Sequence, residues 1–283
     1  MQAQFIDVNG VRTRLLRSGA EGVAVLLAHG LGVSADMWVR IIDELALRYQ
    51  VVAPDMLGHG FTAWAPDLAL HPEAYLGDHL AEVMGHLGHQ DYFVVGSSLG
   101  GIVAAHLFRR HGAKVRGLVL IGTDAMFGPT RSLDPSVLTQ AARNAGKAFD
   151  NPTWENCLRR LQNICVVPDT PLDDVALVQM TIYAQPDRHA AYQELCGQLI
   201  RSIENGSAAL APDEIGVPTL IVCGRQDIRA RIELIRDNYR RIPGARLVEL
   251  DPCGHLPHLE APAALLRVLR EFLDGHVAAM PGG

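Results

Sequence analysis

The sequence has no long block of Lys or Arg, no C-x-x-C pair, no internal repeat and no apolar run longer than a strand. Each absence removes a class of function. With 25 Lys and Arg against 31 Asp and Glu, and a formal charge of −6, the chain offers no basic face to nucleic acid or an anionic membrane. Runs such as 23–28 are far too short to cross a bilayer. The N-terminus carries no basic stretch leading into an apolar one, so no secretory signal is expected and the cytoplasm is the default location. Five cysteines, at 157, 165, 196, 223 and 253, are odd in number and scattered. Free reduced thiols fit that pattern better than a disulfide framework or a zinc site. The histidines show no metal-ligand spacing, and a P-loop and a dinucleotide glycine pattern are both lacking. No metal and no cofactor are expected, which leaves a small molecule as the partner. A homodimer stays open. His86 and His89, three apart in a helical stretch, read as a solvated face.

What is present points to an α/β fold. The 283 residues, 48% of them hydrophobic, can bury one large core with an added layer. Residues 5–8 and 11–16 flank Asn9-Gly10, a strong hairpin signal. After that, short apolar runs at 23–28, 51–53, 92–95, 118–121, 219–222 and 247–250 alternate with helical stretches near 37–47, 74–87, 99–110, 232–241 and 261–273. Continuously apolar strands between helices predict a mostly parallel sheet covered on both faces. The alternation fails once. From about 128 to 207 the sequence is helical in character, broken by prolines at 129, 135, 152, 168, 171 and 186. The expected organisation is a core over 1–127, a helical cap or lid over 128–208, and the rest of the core over 209–283.

The chemistry sits at strand ends. Gly96-Ser97-Ser98-Leu99-Gly100 joins the 92–95 strand to a helix and reads G-x-S-x-G. Small residues two before and two after Ser98 allow a turn sharp enough to push its hydroxyl out of the sheet edge. Ser98 is the predicted nucleophile. A carbonyl substrate also needs two amide donors for the oxygen that becomes negative, each contributing about 3 kcal/mol. The N–H of Leu99 is one candidate. The N–H of Leu31, in His29-Gly30-Leu31-Gly32 after the 23–28 strand, is the other. His29 reads as a hydrogen bonder that holds this loop.

The general base is expected at His255, on the loop after the last strand. Its rival His258, at the entry of the last helix, is expected to face solvent or the lid. Asp227, at the end of the 219–222 strand, is the favoured orienting acid, and Asp124, after the 118–121 strand, the alternative. The order Ser, Asp, His suits the first choice.

Together these residues resemble the α/β-hydrolase superfamily. Pro54-Asp55-Met56-Leu57-Gly58-His59-Gly60 is similar to its P-D-x-x-G-x-G loop, in which His59 reads as structural. Gly254 to Pro262 is similar to its G-H-x-P-x-x-E-x-P ending. The resemblance implies a serine esterase, an enol-lactonase or a meta-cleavage-product C–C hydrolase. From the last group the chain differs by Ser97 where Asn is usual, and by Leu256 where Trp is usual. A ligand-binding receptor or an acyltransferase on the same scaffold are the readings of another class. Met126, Phe127, Trp154, Met180 and Leu256 are the expected substrate-lining residues.

Overall fold

The computed structural model describes residues 1–64, 72–124, 146–207 and 210–277. Strands β1 (Gln2–Val8) and β2 (Val11–Ser18) form the expected hairpin. Asn9 and Gly10 take φ of 53° and 84°, the left-handed pair that a two-residue turn of this kind requires. Then follow β3 (Ala24–Ala28), β4 (Gln50–Pro54), β5 (Tyr92–Ser97), β6 (Val115–Ile121), β7 (Thr219–Gly224) and β8 (Arg246–Leu250). They make one eight-stranded sheet in the order β1-β2-β4-β3-β5-β6-β7-β8. β2 runs antiparallel to both β1 and β4; every other pair is parallel.

Period-2 alternation divides the core. Ala24, Leu26 and Ala28 of β3 face one layer, with Val94 of β5 and Leu118 of β6. Val25 and Leu27 face the other, with Val95 and Val119. Among the helices are α1 (Ile42–Leu45), α2 (Pro72–His86), α3 (Leu99–His111), α4 (Trp154–Gln162), α5 (Asp173–Tyr183), α6 (Arg188–Glu204), α7 (Ile232–Asn238), α8 (Pro257–Glu260) and α9 (Pro262–Val277). α2 and α3 supply the first layer, and α1 and α9 the second. No described helix is long and apolar enough to cross a membrane.

The described elements between β6 and β7 are helical. α4, α5 and α6 build a third apolar cluster with Val33 and Met37, which follow β3, and with Leu256 and Leu259, which follow β8. The helical layer therefore lies over the carboxyl ends of the strands.

Two expectations are corrected. The 37–47 helix is broken into a 3₁₀ turn at Ala35–Trp38 and the short α1. Tertiary polar bonds take over its first turn: the Ala35 N–H donates to Asp55 Oδ1 (2.7 Å), and Asp36 pairs with Arg14 (2.6 Å). His86 and His89 do not share a helix. Gly88 turns to φ +83°, its N–H bonding the Gly85 carbonyl and the His89 N–H the Met84 carbonyl, which closes α2 before His89.

Arg14, Asp36 and Asp55 form a buried ion cluster that ties β2 to the loops after β3 and β4. Asp55 also accepts from the Phe61 N–H (2.8 Å) and leaves no room for a side chain at Gly60, where a Cβ would lie 2.1 Å from Oδ2. The P-D-x-x-G-x-G loop is thus scaffold for the loop that follows β3.

α3 packs so closely on β5 and β3 that only glycine fits. A Cβ on Gly96 would lie 2.1 Å from the Gly100 carbonyl oxygen, and one on Gly100 would lie 2.1 Å from that of Ala28. Gly100→Ala is expected to destabilise the fold by about 2 kcal/mol or more, because backbone and not a flexible side chain must move. A urea midpoint unchanged from the parent would contradict this packing.

Burial holds several imidazoles neutral. It lowers His29 and His79 to about 4, and His59 and His258 to about 3. The unfolded chain takes up these protons near pH 6.5 while the folded one refuses them. What these histidines contribute to stability should therefore be full above pH 6.5 and fall as pH drops from 6.5 towards 4, by up to about 1.4 kcal/mol per pH unit per histidine, outweighing the opposite trend of the Asp55 carboxyl, which burial raises to about 6. Urea midpoints between pH 7 and 5 test this, and a flat profile would refute it. His258→Phe keeps a ring against Trp38 and should make the decline shallower.

Candidate active site

β5 ends at Ser97 and α3 begins at Leu99, so Ser98 alone makes the turn. Its backbone sits at φ 55°, ψ −118°. For a residue with a side chain this costs on the order of 1–3 kcal/mol. Hydrogen bonds hold it there: the Ser98 N–H donates to the Ile121 carbonyl (2.8 Å), and the Ser98 carbonyl accepts from the Gly101 N–H (2.9 Å). The strain keeps the hydroxyl at the carboxyl edge of the sheet. The N–H of Leu99 opens α3 ahead of any intrahelical partner, at the positive end of the helix dipole.

The loop after β3 passes directly beside this turn. A Cβ on Gly30 would lie 3.5 Å from Ser98 Cβ. His29 fixes the loop's peptide planes. Its Nε2 accepts from the Met56 N–H (3.0 Å), so its Nδ1–H donates to the Gly30 carbonyl (2.8 Å). That carbonyl belongs to the same peptide as the Leu31 N–H, and in a trans peptide the two point oppositely. His29 acts as the predicted loop-holding bonder, and burial lowers its pKa to about 4, which keeps it neutral.

His255 and Asp227 meet. Nδ1 of His255 lies 2.9 Å from Asp227 Oδ2 and 3.1 Å from Oδ1. The Asp227 side chain is fully buried, and its Oδ1 also accepts from the N–H groups of Arg229 (2.7 Å) and Ala230 (3.0 Å). It therefore caps its own loop as well as facing the imidazole. Gly122, at φ +56°, lies beneath the pair, where a Cβ would be 3.2 Å from both His255 Nδ1 and Asp227 Oδ2. Asp124 goes elsewhere: its Oδ2 takes the Arg231 Nε–H (2.6 Å) and N–H (3.1 Å). His258 does not face solvent. It is buried, with its ring 4.7 Å from that of Trp38.

Ser98, His255, Asp227, Leu99, Gly30 and Leu31 line one cavity of about 560 Å³. The hydrogen bonds of the His255 ring run to Asp227, and none joins it to Ser98. Serine–histidine contacts of this kind are often long in the absence of substrate and tighten when it enters. The rest of the wall is mostly apolar by area, though Asp124, Arg229, Arg231 and Glu233 also line it, and α6 supplies one side. Tyr192, Cys196, Leu199, Ile200 and Ile203 recur at i, i+4, i+7, i+8 and i+11, a helical stripe legible in the sequence but not singled out there.

Leu256 lines this cavity as expected, whereas Trp154 and Met180 do not. Both pack partly buried against the apolar cluster of the helical layer. Met126 and Phe127 lie outside the described residues. Arg160 of α4 is an unforeseen lining residue. It is buried, donates to Tyr183 Oη (2.8 Å) and the Leu31 carbonyl (3.3 Å), and has no carboxylate partner among the described residues. No periodicity marks it, since it lies on the buried side of a helix whose pattern predicts apolar residues there. Among the described residues no three His, Cys, Asp or Glu are grouped to hold a metal ion.

The geometry has clear relatives. The chain is 27% identical over 270 residues to a 2-hydroxymuconate semialdehyde hydrolase of Pseudomonas sp. (strain CF600), covering 93% of this chain and 91% of that protein. It is 28% identical over 256 residues to a pimeloyl-[acyl-carrier protein] methyl ester esterase of Aromatoleum aromaticum, covering 89% and 98%. The crystal structure of a meta-cleavage product hydrolase superposes with a TM-score of 0.78 at 26% identity, over 96% of this chain and 98% of that one. The sequence profile of the alpha/beta hydrolase fold matches residues 23–262, and the chain belongs to that family.

Proposed function

We propose that this protein is a serine hydrolase that cleaves a small, largely apolar carboxylic ester or lactone through an acyl-enzyme, with the helices between β6 and β7 as its lid. The observation that carries this reading is the shared cavity: a strained, outward-facing Ser98 and an Asp227-held His255 open onto the same apolar space. Ser98 Oγ attacks the carbonyl carbon while His255 Nε2 accepts its proton. Asp227 holds Nδ1–H and stabilises the imidazolium. The carbonyl oxygen, now negative, is received by the N–H groups of Leu99 and Leu31. His255 returns the proton to the leaving oxygen, and water deacylates the serine by the same route. The apolar α6 stripe gives the acyl chain its room and keeps other water out.

One observation favours a second reading. Arg160 places a buried guanidinium without a carboxylate partner in the cavity wall, next to the Leu31 loop. An acid-bearing substrate would supply the missing anion, and the C–C hydrolases among the relatives suggest a vinylogous keto acid cut next to its carbonyl.

Fluorophosphonate labelling, with turnover of p-nitrophenyl acetate and butyrate, tests the proposal. Rapid labelling at Ser98 with many turnovers is expected. Labelling without turnover would point to a receptor, and product carried to an added alcohol to an acyltransferase. Ser98→Ala should lower kcat by about four to six orders of magnitude without loss of fold. Asp227→Asn should lower it by about ten-thousand-fold, as a mis-set tautomer does, and Asp124→Asn by less than about tenfold. The reverse ranking would move the acid to Asp124.

A further inference from the structure

Glu260 lies outside the cavity, yet it gathers amides from both sides of the site. Its Oε2 accepts from the N–H groups of Val166 (2.8 Å), Val167 (3.0 Å) and Gly254 (3.1 Å), and its Oε1 from that of Leu256 (2.9 Å). Gly254 and Leu256 are the residues on either side of His255. Val166 and Val167 belong to the segment between α4 and α5. One carboxylate thus joins the helical layer to the loop that carries the imidazole.

The arrangement is closely fitted. A Cβ on Gly254 would lie 2.8 Å from Glu260 Oε2 and from Val166 Cγ2, so the glycine there is required by the carboxylate and by the helical layer together. No cation pairs with Glu260 among the described residues, and its charge is met by amide dipoles. The flanking thiols are neutral: burial first, and the Glu260 charge second, push Cys165 and Cys253 up to about 12. The only polar purchase these neighbours offer the carboxylate is the backbone of the two segments it joins.

We propose that Glu260 is a positioning residue that couples the seating of the helical layer to the placement of His255, so that the base loop is held in register only while the 164–168 segment is docked. The proposal rests on the serine-hydrolase reading above, in which His255 is the base. The carboxylate takes no part in bond making. When the helical segment lifts, two of its four amide partners leave, and the loop on the other side loses its fixed end.

Glu260→Gln tests this, because an amide replaces one acceptor by a donor that the backbone N–H groups repel. Hydrogen exchange followed by mass spectrometry should show protection falling about tenfold or more in both 164–168 and 253–257. kcat for p-nitrophenyl acetate, whose acyl group ends in a single methyl, should drop about 10- to 100-fold with KM nearly unchanged, as a displaced catalytic group predicts. A kcat that falls only for long-chain esters would overturn the proposal, since Glu260 would then act through lid–substrate contacts. Loosening of one segment alone would overturn it as well. Val167→Pro removes one donor on the helical side and leaves Glu260 in place, and it serves also if Glu260→Gln does not fold. Exchange at 253–257 should rise in that variant, and unchanged exchange there would refute the coupling. Failure of the serine-hydrolase reading has a different signature: unsubstituted protein that neither turns over ester nor takes the fluorophosphonate, whatever the exchange data show.

Discussion

The backbone of α3 touches the backbone of β3. Gly100 lies against the carbonyls of Ala28 and His29, at a separation that no side chain could occupy. This approach brings the end of β3, the turn at Ser98 and the start of α3 into one small volume. A helix a methyl group further out would part the start of α3 from the loop that follows β3. The left-handed backbone of Ser98 follows from the same crowding, because a strand that must reverse into a helix at this distance has no relaxed path.

Around that contact the polar scaffold is arranged in depth. Arg14 and Asp55 fix the loops after β3 and β4, and His29 then sets a single peptide plane within the first of them. On the other side Asp227 faces His255 while capping its own loop, and Glu260 gathers the loop's remaining amides. The loops after β3 and β4 are thus held by buried side chains outside the cavity, and the loop after β8 by Asp227, which lines the cavity, and by the half-buried Glu260, which does not. Such groups are expensive to bury unless every hydrogen-bonding site is used, and here most are.

Much of this was legible in the sequence. The parallel sheet followed from apolar runs too continuous for one solvated face, and the hairpin from Asn9-Gly10. That Ser98, His255 and Asp227 share one cavity accords with their places just past the ends of strands, positions set by local pattern. What escaped notice depends on distant parts of the chain. Asp36 and Asp55 break a predicted helix through bonds to residues 20 or more positions away, which no periodicity encodes. Arg160 reads as a surface arginine until the fold encloses it. For His258 the sequence leaves solvent or the lid open, because its neighbours are helix-entry residues; solvent is excluded by Trp38, which packs on it from the other end of the chain. Trp154 and Met180 pack in the helical layer and not along the cavity, since size and apolarity do not say which apolar space a side chain will enter.

The stripe of α6 has a consequence for how such a protein diversifies. Ile200 and Ile203, half-buried, bound the cavity, yet they hold none of the loops on which the proposed chemistry depends. Their sizes can drift without disturbing Ser98, His255 or the amides beside them. Substrate preference is in this sense a removable panel, replaceable one methyl group at a time, mounted on machinery whose own tolerances leave almost no freedom.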